Sequence, residues 1–155
     1  MIRLTWIDIE KAIDNAYRYF KSLGIDVVVG ILRGGVVPAI MLSKRLNVDL
    51  YVLGVRRYSD LKPPQVISDP GVITCKCIGD VKDKTVLLVD DFANTGITLK
   101  LASKILYESR VAKVYTYVVV KRGFARVDYY SFKFDECVIF PWEYLAIREH
   151  KDNIS

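Results

Sequence analysis

The stretch from Val86 to Leu99, reading VLLVDDFANTGITL, constrains the fold more than any other part of this chain. Val86-Leu87-Leu88-Val89 is a short apolar run with β-branched ends, the pattern of a central parallel strand covered on both faces. Asp90-Asp91 follows at once, then a loop of small residues, then a helix expected to begin at Thr98 and to reach about Ser109. A helix starting there aims the free N–H groups of residues 94 to 98 at the space above the strand end. With the hydroxyls of Thr95 and Thr98 on its rim, that space is an anion cradle. Paired carboxylates beside such a cradle suit a ligand that also offers hydroxyls or a magnesium ion, and a phosphorylated sugar meets both demands.

The rest of the chain alternates strand and helix signals around that core. Thr5 and Asp8 have the spacing of a capping box. Ile9, Ala12, Ile13, Ala16, Phe20 and Leu23 then follow helical periodicity until Gly24. Val27 to Leu32 reads as a buried strand broken by Arg33-Gly34-Gly35, and Pro38 fits the first turn of a second helix that ends near Asn47. Residues 48–55 form a strand, 72–78 a returning hairpin arm, 85–90 the strand before the acidic pair, and Val111 to Val120 another strand. Residues 56–71 make a long loop, and such loops in compact domains carry function. Tyr129 to Trp142 is aromatic and β-prone. The expected fold is α/β, with a mainly parallel central sheet flanked by helices, in one domain over residues 1–155.

In such sheets ligands bind beyond the carboxyl ends of the strands. Arg33-Gly34-Gly35, Asp90 to Thr98 and Lys121 all fall there. Each has a plain structural alternative: a tight turn, an acidic turn with a helix cap, a solvated strand end. No G-x-G-x-x-G and no G-K-[ST] occurs, which argues against dinucleotide binding and P-loop hydrolysis.

Composition narrows the classes further. The chain is 52% hydrophobic and 26% charged, and charged residues interrupt every apolar run before it reaches the length of a membrane span. Its first residues lack the charged-then-apolar plan of a signal peptide, so a cytoplasmic location is expected, with no membrane partner. Three cysteines, Cys75, Cys77 and Cys137, have no framework spacing, and with the single His150 they do not make a metal site; packed thiols are expected. The net charge of +5 is scattered, which favours a small polyanion over nucleic acid.

Val86 to Leu99 resembles the phosphoribosyl pyrophosphate signature of type I phosphoribosyltransferases. Leu32-Arg33-Gly34-Gly35, the Lys121 strand end and Phe140-Pro141-Trp142-Glu143 resemble the small archaeal and bacterial 6-oxopurine (xanthine, guanine, hypoxanthine) branch, and the resemblance covers nearly the whole chain. It implies a flexible lid at about 56–71, including Arg57, Tyr58 and Ser59, and a small base-binding hood, mainly 122–145. Asp90 and Asp91 would hold the ribose hydroxyls and Mg2+, the cofactor. Ala93, Asn94, Thr95, Gly96, Ile97 and Thr98 would bind the 5′-phosphate. Arg33, Gly34 and Gly35 would bind pyrophosphate, with Arg33 stabilising its departure, and a cis peptide would fall at Leu32–Arg33. Lys121, Cys137, the main chain around Val138, and Trp142 would meet the base.

The implied activity is purine salvage: transfer of the phosphoribosyl group from phosphoribosyl pyrophosphate to a 6-oxopurine, giving a nucleoside monophosphate and pyrophosphate, in a homodimer or higher homo-oligomer. Two residues depart from the pattern. Asn94 stands where many 6-oxopurine enzymes carry the Asp that acts as general base, and Asn cannot take that proton. Cys137 stands where relatives carry an aromatic that stacks on the purine. These departures keep two alternatives open: a non-catalytic nucleotide- or phosphoribosyl pyrophosphate-sensing regulator, and a transferase for another base.

Overall fold

The computed structural model describes residues 1–56 and 72–144. In chain order the elements are β1 (Ile2–Arg3), α1 (Trp6–Phe20), β2 (Val27–Leu32), α2 (Val36–Leu46), β3 (Asp49–Arg56), β4 (Val72–Cys77), β5 (Thr85–Ala93), α3 (Ile97–Glu108), β6 (Lys113–Lys121), β7 (Tyr129–Lys133) and β8 (Val138–Ile139). A 3-10 turn at Pro141–Glu143 follows.

Six strands form one sheet in the order β4-β3-β2-β5-β6-β7, and β1 pairs with β8 in a separate two-stranded ladder. Every pair in the large sheet is parallel except β3 with β4, which makes an antiparallel edge. The chain winds outward from β2 to β3 in one direction and from β5 to β6 in the other. The order therefore reverses between β2 and β5, the crevice where open α/β sheets bind ligands.

Why the central strands look uniformly apolar is clear from their alternation. Val27, Val29, Ile31, Val86 and Leu88 face one side, packed with Leu99, Ala102 and Leu106 of α3. Val28, Leu87, Val89 and Val119 face the other, packed with Ile9, Ile13 and Phe20 of α1 and with Leu42 of α2. Helices cover both faces, so neither tolerates a polar row.

Local signals explain the helix limits. The Thr5–Asp8 capping box forms in both directions. Asn47 adopts the left-handed conformation (φ 54°) that stops α2. Two limits differ from expectation. β5 runs on to Ala93 because Phe92 and Ala93 pair with Val120 and Lys121, so the acidic pair sits inside the strand. α3 starts at Ile97, and Cys77 and Cys137 are exposed rather than packed.

Candidate active site

Three glycines in and just after β2 sit where a Cβ would be crowded, two of them in the turn that meets β5 at the reversal point. A Cβ on Gly30 would come within 2.8 Å of the Ala39 Cβ, so α2 lies directly on β2. On Gly35 it would meet the Ile31 and Val89 carbonyl oxygens at 2.6 and 2.7 Å. On Gly34 it would fall 1.8 Å from Asp91 Oδ2. Glycine at 34 thus makes room for the Asp91 carboxylate, joining the Arg33-Gly34-Gly35 turn to the acidic pair. The Leu32–Arg33 peptide that opens this turn is cis.

Asp90 is buried and Asp91 half-buried at the end of β5. The Asp91 N–H donates to Asp90 Oδ1 at 2.9 Å. Burial, reinforced by the neighbouring Asp91 charge, holds the Asp90 carboxyl well above the usual carboxylate range. Asp91 is also raised, by burial first and then by the charge of Glu143. Two carboxylates brought this close, with little water, form a site that gains from a cation. Their hard oxygen donors fit Mg2+, which binds through one or two carboxylates and keeps most of its waters.

Beyond Ala93 the chain turns through Asn94, Thr95 and Gly96 into α3. Gly96 has φ 79° and gives the helix no side-chain cap, and Thr95 Oγ1 reaches the Ile97 N–H only at 3.5 Å. The first amides of α3, including those of Ile97 and Thr98, are therefore available to an anion. α2 likewise opens at Gly35 without a side-chain cap, so two helix N-termini converge on the crevice. The loop is tied to the segment after β6: the Arg122 N–H donates to the Ala93 carbonyl (2.8 Å) and the Ala125 N–H to the Asn94 carbonyl (2.9 Å). Asn94 Oδ1 lies against Gly123, where a Cβ would be 2.4 Å away.

Beside the acidic pair a cleft of about 330 Å3 opens between the end of β5 and the 122–144 segment. Phe92, Phe140, Val138 and Cys137 give it apolar walls, while Asp91, Arg122, Glu136 and Glu143 bring charge to it. β1 fixes one wall: the Ile2 N–H donates to the Cys137 carbonyl (2.8 Å) and the Leu4 N–H to the Ile139 carbonyl (3.0 Å). In a parallel ladder this leaves the Val138 N–H and C=O on the side away from β1. The Glu143 carboxylate accepts the Phe140 N–H at 2.9 Å and closes the 3-10 turn.

Two residues expected at the base do not line this cleft. Trp142 is not in the cleft lining: it stacks on Phe140 (4.7 Å between centroids, 9° between planes) and leans on Trp6. Its Nε1 is buried with no partner among the described residues. Lys121 is also absent from the lining, its Nζ 5.2 Å from the centre of the Tyr130 ring. Arg57, Tyr58 and Ser59, expected in the lid, lie outside the described residues. Sequence reading did not single out Phe92, Arg122, Glu136 and Glu143 as site residues. The pairing of β5 with β6 brings the first two together, and only adjacency to Asp91 and Lys121 hinted at them.

The described helices include none long and apolar enough to cross a membrane. Residues 3–150 match the phosphoribosyl transferase domain model. Among curated proteins, the xanthine-guanine phosphoribosyltransferase of Cereibacter sphaeroides is 33% identical over 121 residues, which span 75% of this chain and 68% of that protein. Ribose-phosphate pyrophosphokinase A of Dictyostelium discoideum is 34% identical over 114 residues, 68% of this chain but only 33% of that longer protein. Among solved structures, a purine phosphoribosyltransferase from Pyrococcus horikoshii superposes with a TM-score of 0.79 at 29% identity, covering 91% of this chain and 92% of the other. The mostly parallel sheet flanked by helices agrees with these matches, and the chain belongs to the phosphoribosyl transferase family of glycosyltransferases.

Proposed function

We propose that this protein transfers the 5-phosphoribosyl group of phosphoribosyl pyrophosphate to a 6-oxopurine, releasing pyrophosphate and a nucleoside monophosphate. The observation that carries the reading is the contact of Gly34 with the Asp91 carboxylate. It joins an uncapped anion-binding turn, a carboxylate pair and a base-sized cleft at one crevice.

In this reading the amides of the loop from Ala93 to Thr98 hold the 5′-phosphate, and Asp90 and Asp91 accept the ribose hydroxyls. Arg33 and the backbone at Gly34 and Gly35 receive the pyrophosphate as the bond from its oxygen to C1′ breaks. A purine nitrogen forms the new bond to C1′ with inversion, and its proton leaves to solvent or a neighbouring acceptor. The developing sugar cation resembles that of glycoside cleavage, and the buried carboxylates lie where such charge is welcome. Mg2+, held by Asp90 and Asp91, would supply charge neutralisation of the departing pyrophosphate. Val138 presents main-chain groups to the base edge.

Product formation from guanine, hypoxanthine, xanthine and adenine with phosphoribosyl pyrophosphate and magnesium tests the proposal. Turnover of at least one 6-oxopurine is expected; folded protein inert toward all of them rules it out. Asn94 favours one rival, a nucleotide-sensing regulator, because its amide accepts a hydrogen bond but no proton. Nucleotide binding without turnover, unchanged by Asn94→Asp, would establish that rival.

A further inference from the structure

The cleft holds two charged side chains that the fold does not use. Arg122, the first residue after β6, and Glu136, two residues before β8, are both exposed and both line the cavity. Neither side chain has an ion pair or hydrogen bond among the described residues. The other two carboxylates are committed: Glu143 to the Phe140 N–H, and Asp91 to the pair with Asp90. Lys121 is held at the Tyr130 ring.

Arg122 can only donate and ionised Glu136 can only accept. Two opposite charges that share a cleft without neutralising each other suit a ligand edge with an acceptor at one end and donors at the other. Resting on the transferase reading above, we infer that Arg122 and Glu136 select guanine among the 6-oxopurines. Arg122 donates to the 6-oxygen, and Glu136 accepts from N1–H and the 2-amino group. Hypoxanthine offers the same oxygen and N1–H but has no 2-amino group. Xanthine turns a carbonyl oxygen toward the carboxylate and readily becomes an anion, so it is disfavoured twice. Adenine puts an amino group where the guanidinium needs an acceptor.

Selectivity through unpaired side chains also accounts for an otherwise odd wall. Cys137 gives little stacking area, and its carbonyl is taken by Ile2. Orientation of the base then rests on polar contacts at its edge, and charge-assisted hydrogen bonds are about twice as strong as neutral ones.

Calorimetric titration of the full chain with guanosine, inosine, xanthosine and adenosine 5′-monophosphates tests this without needing turnover. Affinity should fall in the order guanosine, inosine, xanthosine for the three 6-oxo nucleotides, with the adenosine nucleotide weaker than the guanosine one. Glu136→Gln should reduce the ratio of guanosine to xanthosine nucleotide affinity by at least about tenfold, because the amide can donate to the xanthine 2-oxygen. Arg122→Gln should weaken all three 6-oxo nucleotides by a similar factor and leave their ratios intact. A ratio unchanged within twofold in Glu136→Gln overturns the inference, as does failure of the wild type to prefer the guanosine nucleotide or to bind any of the four. Preferred binding of the guanosine nucleotide with no turnover of any base keeps the inference and removes the transferase proposal instead.

Discussion

The two sides of the crevice are built by opposite means. The side proposed to bind the donor comes from two contiguous turns, 33–35 and 90–98, and works through backbone amides, a buried and a half-buried carboxylate, and glycines where a Cβ would be crowded. The side proposed to bind the acceptor is gathered from β1, the residues after β6 and the chain around β8, and works through exposed side chains. The first is part of the packing, so a change there disturbs both fold and chemistry. The second lies on top of the packing, so its residues can change the choice of base at little cost to stability. Asn94 and Cys137, the two residues read from the sequence as departing from the pattern that the resemblance implies, are both exposed and both face toward this freer side.

The harshest test of that contrast is Gly34→Ala. The new methyl would sit 1.8 Å from Asp91 Oδ2 and must displace the carboxylate. Loss of about 10³-fold in kcat/KM for phosphoribosyl pyrophosphate is expected, since misplaced groups forfeit orientation and charge stabilisation together. Steady-state kinetics with the donor varied measures it, and activity within tenfold of wild type would dissolve the distinction between the sides. Asp90→Asn should follow at about 10²-fold, from loss of one buried charge at the reacting end of the substrate.

A gentler perturbation addresses the other side. Ile2→Pro deletes the N–H that donates to the Cys137 carbonyl and loosens β8 without touching the 90–98 loop. A lost hydrogen bond of about 1 kcal/mol corresponds to about a fivefold rise in KM for the base, with KM for the donor unchanged. Equal changes in both constants would mean that the two sides are mechanically one.

The same contrast explains what could be read before the fold was known. The strand, turn and helix on the side proposed to bind the donor were legible because their residues are adjacent in the chain: Asp90, Asp91, Thr95, Gly96 and Thr98 imply them by spacing, with the strand in fact running on to Ala93 and the helix starting at Ile97. The sheet was legible because helices cover both faces and force continuous apolar strands at 27–32 and 86–89. Arg122 and Glu136 were not, because nothing local marks a charged loop residue as facing a cleft; long-range pairing of β6 with β5 and of β8 with β1 puts them there. The surroundings of Lys121 were illegible for a related reason. Its place at a strand end is a matter of sequence, but the ring of Tyr130 that draws its Nζ comes from a neighbouring strand.

The smallest expected effect concerns stability and pH. Burial raises the Asp90 carboxyl, so in the ligand-free protein the folded state binds more protons than the unfolded chain from about the ordinary 3.8 upward. Stability from this group is therefore full at low pH and is lost as pH rises through the folded value. Asp90→Asn keeps an oxygen that can accept the Asp91 N–H but removes the charge. At neutral pH it should raise the thermal midpoint by about 2–4 °C, the shift expected from about 1 kcal/mol in a domain of this size. The difference between variant and wild type should shrink as pH falls toward 5. Glu136→Gln, on the exposed side, should leave the midpoint unchanged across the same range. Thermal melts of the three proteins between pH 5 and 8 decide the matter: if Asp90→Asn melts no higher than wild type at neutral pH, the buried pair stores no unfavourable charge. The donor site would then gain nothing in stability from the cation proposed to bind it, and its intolerance to substitution would come from the close approach at Gly34 alone.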